Sequence, residues 1–270
     1  MTRGLWLALL VLFAGGAEAA DHAPPPPPDL AARVGVDQKL GASVPATLRF
    51  TEADGEARSL ADVANGRPLL LALGYYRCPN LCDVFLHGLA DVASRVKLRP
   101  GADYELAFLS IDPGERPIDA AEIGQRLANQ HPGAAVARWH LLTGDAASIQ
   151  RLAGAIGFRY FHDRMLDQYA HASGAVLLTP TAGSTAPRVA QYFLDIGFPP
   201  ETLRLALVDA SRGKLGSLVD HLVLFCSGYD PATGRYSLVV GRIMRVLGAC
   251  FLLLLGAWLL YLNRPARARP

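Results

Sequence analysis

Pro68–Gly74 is an unbroken apolar run, and shortly beyond it stands Cys78-Pro79-Asn80-Leu81-Cys82, leading into an amphipathic stretch, Asp83–Val96. A short apolar run without polar alternation reads as a strand buried on both faces, which belongs at the centre of a layered α/β sheet. The cysteines then sit where a strand hands over to a helix. A helix N-terminus stabilises negative charge and lowers a thiol pKa, and the thiolate is the form that attacks disulfides or binds metal. Pro79 suits a first helical position, where its missing N–H costs nothing. If the turn is helical, residues 78 and 82 share a face, so both sulfurs can reach one ligand or each other. Redox pairs of the thioredoxin type are spaced CxxC; the extra residue here suits a soft metal at least as well as rapid disulfide exchange.

The remaining pattern places this junction in an alternating fold. Val44–Phe50 and the stretch through Glu56 read as a hairpin turning at Asp54-Gly55. Phe85, Leu89, Val92 and Val96 form the apolar stripe of the helix after the cysteines. Glu105–Ile111 is a second apolar strand, Ile118–Gln130 a helix, and Trp139–Leu142 a short strand. Asp145 is the N-cap of a helix through Ile156. Gly174–Thr179 and Val189–Ile196 read as an antiparallel pair, and Pro200–Ser211 as a closing helix. The expectation is a thioredoxin-like mixed sheet flanked by helices, parallel at its centre, with the cysteines at the carboxyl end of a central strand.

The two ends of the chain read as targeting. Arg3, the apolar Leu5–Ala14 and Ala17-Glu18-Ala19 have the form of a signal peptide, residues 1–19. Asp21-His22-Ala23 and Pro24–Pro28 make a stiff spacer within a linker, 20–35. Val246–Leu262 is seventeen residues without a charge, flanked by Arg242 and Arg245 on one side and Arg264, Arg267 and Arg269 on the other. It reads as the core of a transmembrane helix over 242–263, preceded by a membrane-proximal segment, 221–241, and followed by a cytoplasmic tail, 264–270. Export with a stop-transfer anchor puts the domain, 36–220, in the periplasm at the inner membrane, an oxidising setting in which a disulfide bond can form. The net charge of +2 says little about partners, and no basic block points to nucleic acid.

A metal on Cys78 and Cys82 wants a third ligand, and Cu(I) accepts two thiolates plus an imidazole. Of the seven histidines, His171 stands just before the strand Gly174–Thr179, where a loop can hang over the cysteine turn; His162 is its main rival. Tyr75–Cys82, Leu109-Ser110-Ile111-Asp112-Pro113, Tyr169-Ala170-His171-Ala172-Ser173 and Val36–Gly41 occur in the order found in the Sco/SenC family, which the chain resembles from Val36 to Ala210. Phe225–Pro231 and the terminal anchor look like a bacterial branch. The resemblance implies a thioredoxin fold at the outer face of an energy-transducing membrane and a part in assembling the dinuclear copper (CuA) centre of cytochrome c oxidase. Carried over, the copper ligands fall on Cys78, Cys82 and His171, with Asp112 ordering the site. Where many members have Thr and Pro around the cysteines, this chain has Tyr76 and Asp83. Asp83 opposes a lowered thiol pKa yet favours a cationic Cu(I) site.

The implied function is a copper metallochaperone carrying Cu(I), with Cu(II) as the other state. Its partners would be a cytochrome c oxidase copper-site subunit and other periplasmic copper chaperones or thiol reductants. The alternative is a thiol–disulfide oxidoreductase in which Cys78 attacks and Cys82 resolves. A peroxiredoxin-like peroxidase is disfavoured, since Tyr75 stands where that chemistry has Thr or Ser. A plain interaction module would instead hold an inert Cys78–Cys82 disulfide. Cys250 reads as an apolar filler of the anchor, and Cys226 as a buried small residue or an exported thiol. Cleavage after Ala19 would also leave Ala20-Asp21-His22, whose amine, amide and imidazole nitrogens suit square-planar Cu(II).

Overall fold

The structure, a computed structural model, describes residues 28–78, 81–180, 186–195, 197–214, 229–230, 235–236, 248–256 and 258–259. The side chains of residues 28, 29, 31, 81–83, 229–230 and 235–236 also lie outside the description. The chain divides into residues 1–32 and 33–270.

A short helix, α1 (Pro28–Arg33), begins within what reads from sequence as linker. Pro28 accounts for it: at a first helical position its fixed φ and missing N–H are tolerated, and Leu30–Arg33 are good helix formers. β1 (Gly35–Val36) follows, then β2 (Arg49–Glu52) and β3 (Ala57–Ser59), the expected hairpin. α2 (Leu60–Ala64) was not legible; it is one turn long and owes its start to Ser59, which forms a capping box with Asp62. The central unit is β4 (Leu69–Gly74), α3 (Leu81–Arg95), β5 (Glu105–Ser110), α4 (Pro117–Gln130), β6 (His140–Thr143) and α5 (Ala146–Ala155), capped by Asp145. β7 (Phe158–Asp163) and β8 (Gln168–His171) form a hairpin, and β9 (Ala175–Leu178), β10 (Val189–Phe193) and α6 (Pro200–Ser211) complete the domain. β11 (Tyr229–Asp230) and β12 (Arg235–Tyr236) pair antiparallel further on.

Seven strands make one sheet in the order β10-β9-β4-β5-β6-β2-β3. β4, β5 and β6 run parallel, while β9 and β10 extend one edge antiparallel and β2 and β3 the other. All six residues of β4 and of β5 are buried. Alternate side chains feed opposite cores. Leu70 and Ala72 pack with Phe85, Leu89, Ile123, Leu127 and Leu207 from α3, α4 and α6. Leu69, Leu71 and Leu73 pack with Leu60, Val63, Ile149 and Leu152 from α2 and α5. Each buried leucine contributes roughly 1.5–3 kcal/mol. The mixed sheet between helices agrees with the expected fold class.

One expectation is corrected. β7 and β8 pair with each other and with β1 in a separate three-stranded sheet, where a loop had been expected before His171. His171 therefore ends a strand, opposite Tyr160. After buried Phe158, the polar and aromatic residues Arg159–Asp163 are half-buried or exposed, so no period-2 contrast marks them in the sequence. At the C-terminus, residues 248–256 and 258–259 are helical, with Phe251, Leu252, Leu253, Leu254 and Trp258 exposed. No helix among the described residues is long and apolar enough to cross a membrane. The remaining residues of the expected span, the signal peptide, His22, His221 and Cys226 lie outside the description.

Candidate metal-binding site

Cys78 lies just past the carboxyl end of β4, half-buried, and α3 begins at Leu81 with Cys82 in its first turn. The parallel register continues past β4, since Ile111 N–H donates to Gly74 O at 2.7 Å, so the turns after β4 and β5 lie side by side. Tyr76 pins the first of these turns from below. Its buried hydroxyl lies 3.0 Å from the carbonyl oxygens of both Phe108 and Leu142, and its ring tilts against Phe108. Burial pushes the Tyr76 hydroxyl well above the ordinary tyrosine range. The Tyr at this departure from the family pattern is thus a core residue, with its hydroxyl used inward.

The β5–α4 turn supplies two carboxylates. Asp112 Oδ1 accepts from Gly114 N–H at 2.8 Å, and Oδ2 stands 3.9 Å from the Arg77 guanidinium. Asp112 also bears on Tyr169: burial first, and then this carboxylate, hold the Tyr169 pKa above its usual value. Asp112 thus carries its charge between Arg77 of the cysteine turn and Tyr169 of β8, the strand that carries His171. Glu115 was not legible as a site residue. In Asp112-Pro113-Gly114-Glu115 it reads as an exposed turn acid, yet it is turned inward and only 5% exposed. It accepts from Tyr76 N–H at 2.7 Å, Arg77 N–H at 2.6 Å and Ser110 Oγ at 2.6 Å. Burial raises its pKa, and these donors oppose the rise.

His171 is half-buried among aromatic rings, with Tyr75 edge-on at 5.8 Å between centroids and Phe158 at 6.1 Å. Its Nδ1 lies 2.8 Å from Ala172 O. A carbonyl only accepts, so Nδ1 carries the proton and Nε2 keeps its lone pair. Burial pushes the imidazole pKa below its ordinary value, against a smaller opposing effect of the Ala172 carbonyl, so the ring is neutral at pH 7. That is the ligand form of histidine. Cys78 packs on the same apolar cluster as Tyr160, Tyr169 and Ala172, to which Tyr75 and Phe158 belong. His162 sits two residues nearer the hairpin tip, its Nε2 3.0 Å from Asp167 and its ring 4.8 Å from Tyr169. The structure therefore brings His171, and not its rival, against the residues that lead into Cys78. The described residues hold no cluster of three metal-ligating side chains, and the Cys82 side chain falls outside them.

A cysteine turn at the carboxyl end of a parallel strand, faced by a neutral histidine on an added hairpin, defines a thioredoxin-like domain equipped for soft-metal or thiol chemistry. The sequence profile of SCO1/SenC matches residues 36–188, and the chain belongs to that family. Among curated proteins none matches. Solved structures share the fold. A protein from Aquifex aeolicus VF5 is 21% identical, with 65% of this chain and 96% of that one covered and a TM-score of 0.54. BsSco, described as a member of the Sco family of cytochrome c oxidase assembly proteins with a disulfide switch, is 20% identical over 65% and 97%, with a TM-score of 0.51. Arabidopsis thaliana ScoI, solved with copper bound, is 19% identical over 65% and 99%, with a TM-score of 0.49.

Proposed function

We propose that this protein is an exported, membrane-anchored copper metallochaperone of cytochrome c oxidase assembly. Copper is its cargo, received on Cys78, Cys82 and His171 and passed to the copper-site subunit by ligand exchange. The observation that carries the reading is the setting of His171. It is neutral, fixed through an Nδ1–H donated to Ala172 O, so that Nε2 carries the lone pair, and packed on Tyr75 at the start of the cysteine turn. A thiol–disulfide oxidoreductase does not need such an imidazole. Two thiolates with one imidazole suit Cu(I), and membership of the family supports copper over other soft metals. Asp112 supports the site through its charge, which acts on Arg77 of the cysteine turn and on Tyr169 of β8.

The localisation follows from the two ends of the sequence. Residues 1–19 direct export, the apolar segment around the helical residues 248–256 anchors the chain in the inner membrane, and the domain works in the periplasm. The test is transfer. Copper-loaded protein is mixed with the reduced, copper-free soluble domain of an oxidase copper-site subunit, and copper is followed on both. Movement of copper to the subunit, abolished by His171→Ala with thiol–disulfide exchange retained, is the expected result. Reduction of an oxidised subunit without metal transfer, equally well by parent and His171→Ala, would replace the chaperone with the oxidoreductase.

A further inference from the structure

We propose that Glu115 is a positioning residue for the metal site, its carboxylate fixing the main chain from which Cys78 is presented and adding negative charge behind a bound cation. This rests on Cys78 being a ligand, as read above. The Glu115 side chain is fully buried. Oε2 accepts from Tyr76 N–H at 2.7 Å and Ser110 Oγ at 2.6 Å, and Oε1 accepts from Arg77 N–H at 2.6 Å. The Arg77 guanidinium adds a longer contact, Nε to Oε1, at 3.7 Å. Two successive amides converging on one carboxylate fix the peptide planes immediately before Cys78. Only an acceptor-only group satisfies this surround. A carboxamide has one acceptor oxygen and would turn its NH2 against a donor.

The charge matters as well as the bonds. A buried carboxylate is unfavourable unless its hydrogen bonds are complete, and here they are. With Asp112 alongside, Glu115 puts two carboxylates beside the turn. The Arg77 guanidinium contacts both, but its side chain is 58% exposed and screened by water. The balance favours a cation on the sulfurs over a bare thiolate. Glu115 therefore biases the site towards holding metal.

The test uses the full chain in detergent, fully reduced, and compares the parent with Glu115→Gln, Glu115→Asp and Glu105→Gln. Glu105 is a matched control, being buried at the opposite end of β5 in another hydrogen-bonded network. Three quantities are read: melting temperature, Cu(I) affinity by competition with a colorimetric chelator, and the alkylation rate of Cys78 in the metal-free protein, resolved by peptide mass. Losing one charged hydrogen bond in Glu115→Gln is expected to weaken Cu(I) binding about tenfold or more and to change the Cys78 alkylation rate. Glu105→Gln, even if it melts lower, should leave both within about twofold. Glu115→Asp retains charge but is a methylene short of both amides, so it should fold and fall between. It serves alone if Glu115→Gln does not fold. Parent-like copper affinity in Glu115→Asp and Glu115→Gln, or equal effects from Glu105→Gln, would overturn the proposal. If the parent itself takes no copper, the chaperone reading fails, and an unchanged alkylation rate in the Glu115 variants then separately overturns the positioning role.

Discussion

Replacing His140 by alanine perturbs a charge network at the end of the sheet away from the cysteines. His140 opens β6 between two buried carboxylates, its Nδ1 2.6 Å from Glu52 Oε1 and its Nε2 3.5 Å from Glu105 Oε2. Both ring nitrogens can donate only as the imidazolium. Burial pulls the pKa down, but the bonds and charges of Glu52 and then Glu105 outweigh it, and the net shift is upward from 6.5. A raised folded-state pKa means stability that is complete below the unfolded value near 6.5 and fades as pH climbs through the folded one. Hydrogen bonds to charged groups contribute about 1.5–3 kcal/mol each, and the 3.5 Å contact belongs at the bottom of that range, so the pair totals about 3 kcal/mol. In a domain of this size that is a melting shift of about 6–12 °C. Thermal melts of parent and His140→Ala at pH 6 and pH 9 are expected to show the full gap at pH 6 and a clearly smaller one at pH 9. An equal gap at both pH values would refute the imidazolium and its role in stability.

Two further substitutions have definite signs. The Tyr104 hydroxyl is buried without a hydrogen-bond partner, and burial raises its pKa. Tyr104→Phe should therefore be neutral or stabilising by up to about 1 kcal/mol, read as an unchanged or higher denaturation midpoint. Gly157 has φ +72° and a Cβ there would stand 1.9 Å from Asp37 O, so Gly157→Ala should lose about 3 kcal/mol, read in the same denaturation experiment.

The central fold was legible because its signals are local. Leu69–Leu73 and Leu106–Leu109 are apolar without alternation, which is what double-sided burial demands, and the helices between them carry clean stripes. The hairpin of β7 and β8 was not legible, since half-exposed Arg159, His162 and Gln168 remove the contrast between faces. His171 was found through its motif, though the strand under it was not. Asp112 was marked by its Asp-Pro motif, and its electrostatic influence on Tyr169 is visible only in three dimensions. Glu115 had no signal of its own. A glutamate after Pro-Gly reads as solvent-facing, and its inward turn depends on amides of Tyr76 and Arg77, 39 and 38 residues earlier.

The most direct test of the copper site is Cu(I) titration of the reduced, purified protein under anaerobic conditions, beside His171→Ala, with X-ray absorption at the metal. The chaperone account predicts about one tightly held copper with two sulfur neighbours and one nitrogen neighbour, the nitrogen and most of the affinity lost in the variant. No specific copper in the parent would contradict it outright, and identical binding and spectra in both proteins would remove His171 from the site.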